Sequence, residues 1–85
     1  MSWTVDLSPS ARRDLTRLDR PVARRILDAL TRFADTGQGD VQRVQGTAGE
    51  WRLRVGDWPR VRFRYEATTR SLDVLRVLPR GEAYR

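Results

Sequence analysis

The sequence contains no cysteine, no histidine and no lysine. Without cysteine, neither a disulfide nor a thiolate metal site can support the fold, and this composition is typical of a reducing cytoplasm. Without histidine, the commonest general base and the commonest metal ligand are both missing. The apolar stretches are too short for a membrane span or for a signal peptide. These absences predict a cytoplasmic protein with no metal site and no cofactor.

The charge of the chain is positive and unevenly distributed. The 85 residues carry a net charge of +6, and all seventeen basic residues are arginine. Residues 1–42 hold seven arginines against six acidic residues, whereas residues 43–85 hold ten against five. The length predicts a single domain over residues 1–85, and the basic half predicts one binding face for a polyanion. A GC-rich coding bias and selection for bidentate phosphate recognition both explain the exclusive use of arginine.

Residues 50–65, EWRLRVGDWPRVRFRY, combine two alternating runs with a short turn. Alternation of apolar residues and arginine is typical of half-buried strands, and the Gly/Asp/Pro segment between the runs predicts a β-hairpin. If both apolar rows face one core, five arginines share the opposite, exposed surface, which we call the arginine face. Like charges opposed across strands are destabilising, so a polyanion bound there would explain the row. The arginine face consists of Arg52, Arg54, Arg60, Arg62 and Arg64.

The remaining segments predict a small α+β fold. A short strand around Val5 is followed by Ser8-Pro9, a typical helix start, and a second helix begins near Pro21 and ends at Gly37. Residues 37–49 are predicted to form a long loop. The apolar run of residues 72–78 predicts a last strand that is buried on both faces or carries a bulge near residue 75. The expected order is β-α-α-β-β-β, an antiparallel sheet with the helix pair packed on one face.

The hairpin sequence resembles a known signature. Residues 52–58, RLRVGDW, followed by Arg60-Val61, are similar to the "RLRVGDYRV" motif of the RelE/ParE toxin superfamily. Residues 44–46 are similar to the "L-x-G" that precedes the hairpin in this superfamily, and residues 77–84 to its closing "VGHRxxxY" motif. The resemblance extends over nearly the whole chain.

The resemblance implies a toxin of a bacterial type II toxin–antitoxin pair, with an acidic, partly disordered antitoxin segment as partner. RelE-like members cut messenger RNA in the ribosomal A site, whereas ParE-like members poison DNA gyrase. For a RelE-like activity, the resemblance implies that the ribosome and messenger RNA are partners. The residues then implied as catalytic are Arg52, Arg60, Arg80 and Tyr84, and those predicted to bind RNA are Arg54, Arg62, Arg64 and the stacking candidate Trp58.

Cleavage of RNA by 2′-hydroxyl attack needs a proton acceptor, stabilisation of the charge on phosphorus and protonation of the leaving oxygen. Arginine suits the second task, but it is a poor base because its pKa lies above about 12. The acids or phenols expected nearby are Glu50, Glu82 and Tyr84, while the histidine of the family motif is replaced by Pro79. The identity of the base is therefore open at this point.

Three hypotheses follow: a ribosome-dependent endoribonuclease first, a gyrase inhibitor without enzymatic activity second, and a non-catalytic arginine-rich RNA-binding module third.

Simple structural explanations also exist for single residues. Arg54 can pair with Asp57, and Arg62 and Arg64 can be ordinary solvated strand positions. Arg60 is predicted to be exposed, so that its removal would cost little stability.

Overall fold

The computed structural model describes residues 2–56 and 60–78, which form two helices and five strands. The elements are β1 (Thr4–Leu7), α1 (Pro9–Thr16), α2 (Arg20–Thr36), β2 (Asp40–Arg43), β3 (Glu50–Arg54), β4 (Arg60–Glu66) and β5 (Ser71–Leu78). Neither helix in this described part of the chain is both long enough and apolar enough to cross a membrane. The α+β class and the helix pair are confirmed.

The five strands form one sheet in the order β1-β5-β4-β3-β2. Strand β1 pairs with β5 in parallel, and the other neighbours are antiparallel. The sheet is therefore mixed rather than purely antiparallel. The reason is the chain path: the two helices carry the chain from β1 at one edge to β2 at the other, and the antiparallel meander then returns β5 to the side of β1.

The predicted loop over residues 37–49 contains an additional edge strand, β2. Val41 lies opposite Leu53 and is the one partly buried residue of β2. The other three residues of β2 are exposed. An exposed, charged edge strand of four residues carries too little apolar alternation to be recognised in the sequence. Glycine residues on both sides of it also favoured the prediction of a loop.

Both helix starts and the helix end follow the sequence signals. The Ser8 hydroxyl accepts a hydrogen bond from the Ala11 N–H at 3.0 Å, and Pro9 occupies the first position of α1. Helix α2 ends at Gly37, whose φ of 77° is left-handed and whose N–H donates to the Phe33 carbonyl at 2.8 Å. A glycine adopts this conformation without a steric cost, so the C-cap prediction is confirmed.

One hydrophobic core joins the helices to one face of the sheet. Helix α2 contributes Ile26, Leu30 and Phe33, and the hairpin contributes Leu53, Val61 and Phe63, all of them buried. Because side chains alternate along a strand, burying these positions directs their neighbours to the opposite face of the sheet. The core thereby determines where the arginines lie.

Helix α1 closes the edge of β5 where β1 ends. Strand β1 pairs only with Ser71 to Val74. Beyond that point the Ser8 hydroxyl donates to the Leu75 carbonyl at 2.9 Å, and the Asp14 carboxylate accepts from the Val77 N–H at 2.9 Å. The predicted bulge is present, since the register with β4 shifts at this point and leaves Leu75 without an opposite residue. The side chains of Ser8 and Asp14, at the start of α1 and within it, thus replace the missing strand.

Asp14 is buried and also binds Arg76, whose Nε donates to its carboxylate at 2.7 Å. Burial by itself would raise the pKa of Asp14. The hydrogen bonds from Arg76 and Val77, together with the charges of Arg76 and Arg17, outweigh that effect, and the pKa of Asp14 is lowered. The ionised carboxylate is therefore the form that stabilises the fold.

We expect Asp14→Ala to be more destabilising than Asp14→Asn, by about 1–3 kcal/mol, because only asparagine keeps an acceptor for the Val77 N–H. The stability that wild type gains from the charge is present above the unfolded-state pKa of about 4 and is lost as the pH falls through the lower folded-state pKa. Urea unfolding at pH 7 and at about pH 2 measures both effects. A wild-type advantage over Asp14→Asn that is unchanged at low pH would contradict the role of the charge.

Candidate nucleic-acid interface

The register of the hairpin brings all five arginines of the arginine face to one side of the sheet. Arg54 lies opposite Arg60, and Arg52 lies opposite Arg62. Directly opposed residues of an antiparallel pair share a face, and every second residue along each strand does the same. The predicted common face is confirmed.

A small pocket lies at the end of this face that is nearest to the hairpin turn. We call it the arginine pocket; its volume is about 90 Å³, and its lining residues are Asp40, Gln42, Arg52, Arg54 and Arg60. Within it, Arg52 Nη2 donates to the Gln42 side-chain oxygen at 2.8 Å, which orients that guanidinium. Three guanidinium groups around a space for a few non-hydrogen atoms favour a small anionic group such as a phosphate.

Arg60 is buried, with only 6% of its surface exposed, and the expectation of an exposed side chain was wrong. The reason is its place in the sheet. Strand β4 is an inner strand, and Arg60 lies between Arg54 on β3 and Leu78 on β5. Arg60 therefore has a neighbouring strand on each side and is buried, whereas Arg54 is exposed. Packing therefore limits the motion of Arg60.

The opposite end of the arginine face has part of its charge compensated within the protein. Glu50 forms ion pairs with Arg62 and, at 3.6 Å, with Arg64. This carboxylate lies opposite Arg64 and away from the arginine pocket. The two arginines predicted to bind RNA here therefore have a competing partner, and Glu50 is not placed to act as a base within the pocket.

Trp51 packs against the core, on the same side of β3 as Leu53. Its ring centroid lies 5.6 Å from that of Tyr65 in an edge-to-face contact, and Trp3 contacts the same tyrosine at 5.7 Å. These rings form an aromatic cluster on the core side of the sheet. Trp51 therefore has a structural explanation and does not need to stack on a base.

Three of the predicted site residues, Trp58, Arg80 and Tyr84, lie outside the described residues, as do Asp57 and Glu82. Within residues 2–56 and 60–78, no group of three acidic side chains lies close enough to hold a metal ion. The structure also adds two pocket residues that the sequence analysis missed, Asp40 and Gln42. The only sequence signal for them is a single apolar residue, Val41, between two polar ones.

We expect Arg60→Ala to lower the free energy of unfolding by about 1–3 kcal/mol, since it removes a large buried side chain from an inner strand. Arg54→Ala is the matched control, because it removes the same charge from the residue directly opposite, which is exposed. That change should stay within about 0.5 kcal/mol of wild type. Chemical denaturation of both variants measures the difference, and equal stability would show that Arg60 is not held by packing.

Comparison with known proteins agrees with this architecture. Residues 5–84 match the family described as the ParE toxin of the type II toxin–antitoxin system parDE. The archaeal RelE–RelB complex from Pyrococcus horikoshii is 24% identical, with a TM-score of 0.75 over 95% of this chain and 98% of that chain. The RelBE2 toxin–antitoxin complex from Mycobacterium tuberculosis is 26% identical, with a TM-score of 0.74 over 94% and 100%.

A mutant of the Escherichia coli toxin RelE in the free state has a TM-score of 0.79 over 99% of this chain and 90% of that chain. At 12% identity, that similarity concerns the fold alone. No curated protein sequence matches the chain.

Proposed function

This chain belongs to the ParE toxin family of type II toxin–antitoxin systems, within the RelE/ParE superfamily, and from that membership we propose that it cuts messenger RNA on the ribosome. The observation that supports this activity is the arginine pocket, where Arg52, Arg54 and Arg60 converge. Arginine stays protonated and donates two parallel hydrogen bonds to phosphate oxygens. Such a site suits a phosphodiester on which negative charge builds during reaction.

In the proposed reaction, the ribose 2′-oxygen attacks the adjacent phosphorus and the bond from phosphorus to the 5′-oxygen breaks. The products are a 2′,3′-cyclic phosphate and a 5′-hydroxyl. Arg52 and Arg60 bind the non-bridging oxygens, and the packed side chain of Arg60 needs little reorganisation. In this reaction Arg80 and Tyr84 are also catalytic residues and Trp58 stacks on a base, as the family resemblance implies.

Arg54, Arg62 and Arg64 bind neighbouring phosphates in this proposal. Arg54 is the exposed arginine of the pocket and is accessible to the backbone of the RNA. Arg62 and Arg64 contribute after the RNA competes with Glu50 for their guanidinium groups. Their contribution should therefore be electrostatic and sensitive to salt.

A second function, inhibition of DNA gyrase without enzymatic activity, is favoured by one observation. The family that matches residues 5–84 is that of the ParE toxin. In that case the arginine face would be a protein-binding or DNA-binding surface, and the message would stay intact.

We also propose a cognate antitoxin as partner. The related structures from Pyrococcus horikoshii and Mycobacterium tuberculosis are complexes of a toxin with its antitoxin. The exposed positive charge of this chain favours an acidic segment that crosses the arginine pocket and competes with RNA for it.

Co-expression with the neighbouring gene, followed by size-exclusion chromatography, tests this partner. We expect one complex that persists at low protein concentration and that weakens as salt rises, because charges at its rim are screened. The variant Arg54→Ala should weaken the complex more than Arg43→Ala, which removes the same charge from an exposed position outside the pocket. Separate elution of the two proteins would contradict the proposal.

Expression without the partner tests the target. We expect translation to stop and primer extension to map cuts in frame with codons on translated messages. Arg52→Ala should reduce the single-turnover cleavage rate on programmed ribosomes by about 10²- to 10³-fold, as for the loss of one preorganised donor. Arg43→Ala serves again as the control and should cut at the wild-type rate.

A DNA supercoiling assay with gyrase runs beside these measurements. Intact messages together with trapped gyrase–DNA cleavage complexes would replace the first proposal by the second.

A further inference from the structure

Among the described residues that line the arginine pocket, Asp40 is the single carboxylate. We propose that Asp40 accepts the proton of the attacking 2′-hydroxyl, an inference that rests on the proposed endoribonuclease activity. Asp40 then supplies the base. The arginines cannot provide one, because a guanidinium has no acceptor and does not lose its proton in proteins.

The sheet places Asp40 at a useful distance from the arginines. It lies opposite Arg54, which in turn lies opposite Arg60, so the three residues form a row across β2, β3 and β4. Opposed Cα atoms in antiparallel strands are about 5 Å apart, so the Cα atoms of Asp40 and Arg60 are separated by roughly 10 Å. One sugar-phosphate unit fits in that span, with its phosphate near Arg60 and its 2′-hydroxyl near Asp40.

The carboxylate of Asp40 is available, whereas the carboxylates of Glu50 and Asp14 are engaged. Glu50 holds Arg62 and Arg64, and Asp14 holds Arg76 and the Val77 N–H. In the described part of the chain, no ion pair and no side-chain hydrogen bond includes Asp40. It also lies on the exposed edge strand, where RNA can approach.

The proposed step balances. The proton of the 2′-hydroxyl passes to the Asp40 carboxylate while the 2′-oxygen forms its bond to phosphorus. The bond from phosphorus to the 5′-oxygen breaks, and the leaving oxygen takes a proton from water. The carboxylic acid of Asp40 then returns its proton to the solvent, so that no cofactor or redox partner is needed.

The change in RNA affinity caused by Asp40→Asn distinguishes a catalytic role of Asp40 from a purely structural one. A negative charge in a pocket for a polyanion weakens binding, so Asp40→Asn should bind RNA as tightly as wild type or more tightly. Loss of cleavage in that variant cannot then result from loss of substrate. If Asp40 only balanced the charge of Arg54, the variant would bind more tightly and cut at the wild-type rate.

The test is single-turnover cleavage on programmed ribosomes by the full chain. We expect Asp40→Asn to slow cleavage by about 10²- to 10⁴-fold, the usual contribution of a general base, and Asp40→Glu to recover part of the loss. Asp35→Asn is the control, since it removes the same charge from an exposed position on α2. Affinity is measured on a message with a 2′-deoxy sugar at the cut site, and circular dichroism checks folding.

Each outcome of this experiment is decisive. Cleavage by Asp40→Asn at the wild-type rate overturns the role of Asp40 and leaves the endoribonuclease activity standing. If wild type leaves the message intact, both proposals fall together. If wild type cuts the 2′-deoxy message, the attacking group is not the 2′-hydroxyl, and Asp40 has no proton to accept.

Discussion

The carboxylate of Asp14 holds the end of strand β5, which pairs with β4, and β4 with β3 and β2 forms the arginine pocket. Asp14 accepts the Val77 N–H where β1 no longer reaches, and it binds Arg76 at the same time. A buried backbone donor without a partner is costly, so this contact decides whether β5 continues to Leu78. Leu78 in turn lies opposite Arg60. The contact between Asp14 and β5 therefore supports the strand end that lies beside the arginine pocket.

The arginine face is electrostatically divided. At one end Glu50 forms ion pairs with two arginines, and at the other end Arg52, Arg54 and Arg60 surround a pocket with the carboxylate of Asp40. The cost of opposing like charges across the hairpin is therefore reduced at one end by an internal ion pair. At the pocket end three guanidinium groups surround a space that suits a small anionic group.

Edge strand β2 changes the chemistry of the site. It brings Asp40 and Gln42 beside the arginines, so the pocket combines charge stabilisation with an acceptor. The edge position keeps the carboxylate in water until a ligand covers it. A row of arginines alone binds phosphate, and the addition of a carboxylate extends what such a row can do to proton transfer.

The sequence by itself determined the helix pair, the hairpin and the common face of the five arginines. These depend on local signals: Ser8-Pro9, Gly37 and the alternation within each of the two runs of residues 50–65. Tertiary structure decided the parallel pairing of β1, the existence of β2, the burial of Arg60 and the entry of Asp40 into the pocket. Each of these depends on which strand lies next to which, and strand neighbours come from the path of the whole chain rather than from the residues of one segment.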